Sequence, residues 1–209
     1  MKYDYTLYLV TDSSLMSTAT LPKAVEQAVL GGCTMVQLRE KNISSADFYH
    51  LAMEVKSITS KYHIPFIIND RIDIALSVGA DGVHIGQSDI PASIARKIIG
   101  RNMLLGVSAS CLSEAVQAQK NGADYLGVGA MFPTGTKTDA EIVSMDELRK
   151  IRKAVSVPIV AIGGINRENA PDFIDAGLNG VAVVSAIIAQ PDIKQAAARL
   201  KKCLVERKN

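Results

Sequence analysis

The sequence predicts a closed α/β barrel, a single (β/α)8 or TIM barrel over residues 1–209. Three observations carry that prediction. Short β-rich apolar runs alternate with segments of helical period, the pattern of parallel strands joined by helical crossovers. Eight such units share 209 residues, about 26 each, which is compact but sufficient for a barrel. The helix-to-strand turns also repeat, as Gly32-Cys-Thr-Met-Val, Gly79-Ala-Asp-Gly-Val, Gly122-Ala-Asp-Tyr-Leu and Gly177-Leu-Asn-Gly-Val. Their spacings of 47, 43 and 55 residues are two units each. An open doubly wound sheet uses the same units; eight of them with no second domain favour closure.

The first strand is expected at Tyr5–Val10, followed by a helical stripe of Leu21, Ala24, Val25 and Ala28. The second strand is Thr34–Leu38. Ser44 and Asp47 form a capping box for a helix whose stripe is Phe48, Leu51, Ala52, Val55 and Ile58. The third strand is Pro65–Ile68, after which Asp70 and Asp73 read as another capping box. The fourth is Gly82–Ile85, with Asp89 before Ile90-Pro91 reading as an N-cap and Pro91 suited to a first turn. Strands five and six fall at Leu104–Val107 and Tyr125–Val128. A long loop, roughly Met131–Val143, precedes the Ser144–Glu147 capping box. Strands seven and eight are Pro158–Ile162 and Gly180–Val184. Pro191 then opens a last helix with stripe Ile193, Ala196, Ala197, Leu200 and Leu204.

Composition narrows the function class. The chain is 48% hydrophobic and 21% charged, as ordinary soluble domains are. With 23 basic and 21 acidic residues the net charge is +2, too little field for a nucleic-acid partner. The basic Lys201–Lys208 stretch reads as a solvated helix end. Three separated cysteines and no CxxC argue against a disulfide framework or zinc site and fit a reducing, cytoplasmic setting. No basic-then-apolar leader opens the chain. Val181–Ala189 is too short to span a membrane, so no membrane partner is expected. Nothing in the sequence specifies an oligomeric state.

In a barrel the reactive groups gather where strands end. Gln37, Arg39 and Lys41 share one face of an extended segment, because side chains alternate. They form either an anion station or a surface ion cluster with Glu40. Asp70 and Asp89 follow neighbouring strands, as helix caps or as a hard-cation site. Gly163-Gly164 and Val184-Ser185 follow strands seven and eight, the usual phosphate position; tight turns are the alternative. The loop after strand six carries Thr134, Gly135, Thr136 and Lys137, and suits a lid over phosphates as well as an ordinary exposed loop. Gly127 and Gly129 would leave room for a substrate ring. His84, within strand four, reads as a hydrogen-bonded structural residue. Two anion stations without a nucleophile or general base suggest a pyrophosphate leaving on Mg²⁺.

QLREK (Gln37 to Lys41), ND (Asn69-Asp70), VHIGQSD (Val83 to Asp89), GVSA (Gly106 to Ala109), FPTGTK (Phe132 to Lys137) and AIGGI (Ala161 to Ile165) together resemble the thiamine phosphate synthase family over nearly the whole chain. The resemblance implies a transferase of thiamine biosynthesis acting on small-molecule substrates. It would join a hydroxymethylpyrimidine diphosphate to a hydroxyethylthiazole phosphate, with Mg²⁺. It implies that Gln37, Leu38, Arg39, Glu40 and Lys41 hold the pyrimidine diphosphate, with Asn69 and Ser108 on the pyrimidine. Asp70 and Asp89 would ligate Mg²⁺. Thr134, Gly135 and Thr136 would bind the thiazole phosphate, whose phosphate group would meet Gly164, Val184 and Ser185. Arg39, Lys41 and Lys137 would act on the leaving pyrophosphate. One departure is local: the family commonly reads Gly-x-Ser-x-His, whereas this chain has Ser110 at the last position. A related thiazole tautomerase would need no diphosphate station. A non-catalytic thiamine phosphate sensor would show no turnover, and a phosphosugar isomerase would need an acid–base Glu and His pair that is not placed here.

Overall fold

A computed structural model describes residues 3–135 and 141–207. Eight parallel strands close in chain order, β1 pairing with both β2 and β8. They are β1 (Leu7–Val10), β2 (Met35–Leu38), β3 (Phe66–Asn69), β4 (Gly82–Ile85), β5 (Leu104–Ala109), β6 (Tyr125–Val128), β7 (Ile159–Ile162) and β8 (Gly180–Val183). Each falls on an expected run; β4 and β6 match it at both ends and the others differ by one or two residues. The outer helices are α1 (Leu21–Leu30), α2 (Ser45–Lys61), α3 (Ile72–Ser77), α4 (Ala92–Ile99), α5 (Leu112–Lys120), α6 (Met145–Ala154), α7 (Ala170–Asp175) and α9 (Ile193–Glu206). A short α8 (Ser185–Ile188) intervenes after β8.

Strand alternation divides the apolar residues between two cores. Outward side chains such as Leu7, Leu9, Val36 and Leu38 pack beneath the helices. Inward ones, including Tyr5, Tyr8, Met35, Ile67, Leu104, Tyr125 and Val160, fill the barrel. The two sets occupy alternate positions along each strand, as a pleated strand buried on both faces requires.

Two capping boxes form as expected: Ser44 Oγ accepts from the Asp47 amide and Ser144 Oγ from the Glu147 amide. The other two expected caps do not. α3 starts after Arg71, and Asp70 stands before it at φ 61°, a left-handed conformation. α4 is preceded by Pro91, which lies at the N-cap rather than inside the first turn, while Asp89 accepts from the Gly86 amide at 2.7 Å within its own loop. Pro191 likewise lies before α9, whose cap is Asp192; Pro22 and Pro171 take the first-turn positions instead. The four repeat glycines all have φ between 62° and 104°.

Candidate active site

A cavity of about 550 Å³ opens where the strands end. Gln37, Arg39 and Lys41 all reach it, whereas Leu38, on the opposite pleat, is fully buried in the outer core. Glu40 also turns away. It accepts from the Ser13 hydroxyl, and burial pushes its carboxyl up, with the Ser13 bond opposing. Arg39 is anchored on both sides. Its amide donates to Thr11 Oγ1 at 3.0 Å and its guanidinium lies 3.7 Å from Asp12.

Asn69, Asp70 and Asp89 line the same wall. The His84 carbonyl accepts from the Asp70 amide at 2.8 Å and from Asn69 Nδ2 at 3.3 Å, tying the ends of β3 and β4 together. Lys41 Nζ pairs with Asp70. Burial pushes the Asp89 carboxyl up; the Gly86 amide opposes this, and neighbouring Asp70 adds to it. Two carboxylates thus crowd each other around a half-exposed lysine, a charge balance that a divalent cation would complete. Among the described residues no cluster of three or more His, Cys, Asp or Glu exists. Two carboxylates suit Mg²⁺, which keeps waters and takes phosphate oxygens, rather than zinc.

Beneath this wall the floor is a hydrogen-bonded chain across the barrel. Gln37 Nε2 donates to Tyr8 Oη at 2.8 Å, and the Tyr8 and Tyr125 hydroxyls meet at 2.8 Å. Tyr125 Oη lies 3.1 Å from His84 Nδ1, and His84 Nε2 lies 3.0 Å from Ser108 Oγ. Burial lowers the His84 imidazole to about 4, so it is neutral near pH 7. Burial raises both phenols. Gly106 makes this arrangement possible, because a Cβ there would overlap the Tyr125 hydroxyl and His84 Nδ1. A Cβ on Gly127 would sit 3.1 Å from His84 Cε1, so that glycine clears the imidazole as well as the cavity. Gly129 is required by close backbone contact with Ile162.

The opposite wall holds Gly163, Gly164, Val184, Ser185 and Thr134. Gly163 and Gly164 have φ of 98° and 64°, and a Cβ on either would lie 2.6 Å from Ala130 Cβ or Phe132 Cβ. The first turn of α8 leaves amides without intrahelical acceptors. The long loop is tied at its base, where the Val143 amide donates to Ala130 O at 2.8 Å. Gly135 is described but does not line the cavity; Thr136 and Lys137 lie outside the described residues. Ser110 also lies apart, its amide and hydroxyl both donating to Glu114.

Sequence reasoning missed Tyr8 as a lining residue; it read His84 as a hydrogen-bonded structural residue, and His84 is bonded at both nitrogens but also lines the cavity. An inward pleat position on a strand ending at the mouth was the available signal.

The comparisons agree with one another. A family model described as thiamine monophosphate synthase matches residues 7–187. The chain is 63% identical over 206 residues to a thiamine-phosphate synthase of Ruminiclostridium cellulolyticum, covering 99% of this chain and 98% of the relative. It is 63% identical over 200 residues to that of Clostridium beijerinckii, covering 96% of each. Among solved structures, a thiamine phosphate pyrophosphorylase from Pyrococcus furiosus superimposes with a TM-score of 0.91 at 38% identity, covering 98% of both chains.

Proposed function

The chain belongs to the thiamine monophosphate synthase family, and from that membership we propose that it joins a hydroxymethylpyrimidine diphosphate to a hydroxyethylthiazole phosphate, or its carboxylate form, releasing pyrophosphate. The observation that carries the reading is one cavity lined by Arg39 and Lys41 on one side and by Gly164, Val184 and Ser185 on the other. We read the first group as the seat of the diphosphate and the second as the seat of the thiazole phosphate.

In this reading Arg39 and Lys41 bind and orient the diphosphate, with Leu38 and Glu40 as the spacing that keeps Gln37, Arg39 and Lys41 on one face. Asn69 and Ser108 hold the pyrimidine. On the family resemblance Thr134, Gly135 and Thr136 are assigned to the thiazole phosphate and Lys137 to the departing pyrophosphate; of these, Thr134 alone lines the cavity among the described residues. Asp70 and Asp89 would hold Mg²⁺, which when bound offsets the charge that accumulates on the leaving group. The bond from the pyrimidine methylene to the diphosphate oxygen breaks, and the thiazole nitrogen forms the new C–N bond with its own lone pair. No general base is required, which fits a cavity whose one imidazole is neutral and engaged at both nitrogens. Exclusion of water protects the electron-deficient methylene. A single catalytic domain over residues 1–209 and a cytoplasmic setting, in keeping with three free cysteines, complete the proposal. No described helix is long and apolar enough to cross a membrane.

Incubation with both substrates, with Mg²⁺ or with chelator, and fluorescence of the oxidised product tests it. Metal-dependent thiamine phosphate is expected; none from folded protein would overturn the reading. A tautomerase would not need Arg39, Lys41, Asp70 and Asp89 in one wall.

A further inference from the structure

The floor chain has a direction. Gln37 Nε2 can only donate, so the Tyr8 oxygen accepts and the Tyr8 proton must go elsewhere. Its remaining partner is Tyr125 Oη. Tyr8 is 1% exposed and Tyr125 is fully buried, and a hydroxyl proton left without an acceptor there is costly. Tyr125 then donates to His84 Nδ1, which leaves the imidazole proton on Nε2 and gives it to Ser108 Oγ. Ser108 Oγ, which lines the cavity, accepts in this sense and has no acceptor for its own proton among the described residues, so that proton is left for the cavity. At the other end the Gln37 amide nitrogen is engaged and its carbonyl oxygen has no partner among the described residues. No buried side-chain polar atom among those residues is unsatisfied, so that oxygen faces the cavity.

Reversing any one bond would set two protons or two lone pairs against each other unless every other bond reversed with it. The five side chains therefore keep one sense together.

We infer that Tyr8, Tyr125 and His84 are positioning residues that act as a unit, fixing Ser108 as a donor and Gln37 as an acceptor at the cavity floor, and that this polarity selects an aminopyrimidine over its oxo analogue. The inference rests on the synthase reading for the identity of the ring. An aminopyrimidine offers unprotonated ring nitrogens and an amino donor, which match. The lactam form of the oxo analogue carries a proton on a ring nitrogen, which opposes a fixed donor.

The test is calorimetric binding of the amino and oxo pyrimidine diphosphates, without thiazole, to the wild type, Tyr8→Phe, Tyr125→Phe and the double variant. The wild type is expected to prefer the amino compound. Each single variant should lower that preference about tenfold. The double variant should lose no more than either single one, because both cut one chain. Thiazole phosphate binding should stay unchanged in all four. An unchanged amino-to-oxo ratio, or additive losses in the double variant, would overturn the inference. Selective pyrimidine binding without product formation would overturn the synthase reading and leave the positioning chain standing. Two single variants guard against one failing to fold, and thermal melts check each.

Discussion

Gly106→Ala perturbs the site at a position that does not line the cavity. The added Cβ would overlap Tyr125 Cζ, Tyr125 Oη and His84 Nδ1 at once. Overpacking of this kind costs about 1–3 kcal/mol. Tyr125 must move, so its bonds to Tyr8 and His84, at 2.8 and 3.1 Å, are broken or lengthened. Leaving those buried polar groups unsatisfied adds about 1–3 kcal/mol. The sum is about 2–6 kcal/mol, or a fall in Tm of roughly 5–20 °C for a chain this size. Gly79→Ala is the control. Nothing lies within 4 Å of its Cβ, but φ is +62°, so it should cost about 1–2 kcal/mol from backbone conformation alone. Thermal unfolding and calorimetric binding would be measured on both. Gly106→Ala should melt lower and bind the pyrimidine diphosphate more weakly. Gly79→Ala should bind normally. Equal melting of the two, or normal binding by Gly106→Ala, would refute the packing account of the floor.

Three other predictions use the same cavity. Asp89→Asn keeps an acceptor for the Gly86 amide but removes a charge whose carboxyl is raised in the fold, so metal-free protein should melt higher while Mg²⁺-dependent turnover falls about 100-fold or more; a lower melt with full activity would contradict both halves. Arg39→Ala should raise KM for the diphosphate substrate about tenfold or more and leave that for the thiazole phosphate alone, as steady-state kinetics with each substrate varied would show. Burial lowers the His84 imidazole to about 4 in the fold against 6.5 when free, so between those values the unfolded chain binds more protons. Stability from the neutral ring is complete above pH 6.5 and lost as pH falls through this window, by about 3 kcal/mol, and urea melts from pH 7 to 4 should lose that slope in His84→Asn.

Most of the framework was legible because each strand is a short, mainly apolar run and each repeat glycine marks a helix stop. The alternation that puts Gln37, Arg39 and Lys41 on one face is a local property, readable without a fold. The misread caps show the converse. Asp70-x-x-Asp73 has the spacing of a capping box, yet Asp70 takes a left-handed turn and its amide donates to His84 O, a contact across β4 that no local pattern encodes. Tyr8 was hidden for a similar reason. It sits in an unbroken apolar strand, and its hydroxyl gains meaning only from Tyr125, 117 positions later.

The two walls of the cavity come from different lengths of chain. Gln37 to Ser108 supply one, over β2 to β5, and Thr134 to Ser185 supply the other, over β6 to β8. Under the proposed roles the diphosphate side draws its lining from β2 to β5 and the thiazole phosphate side from β6 to β8, with Lys137 the one assignment that crosses between them. Exchanging the second half of the chain between relatives is therefore expected to carry the thiazole-side lining with it as one block.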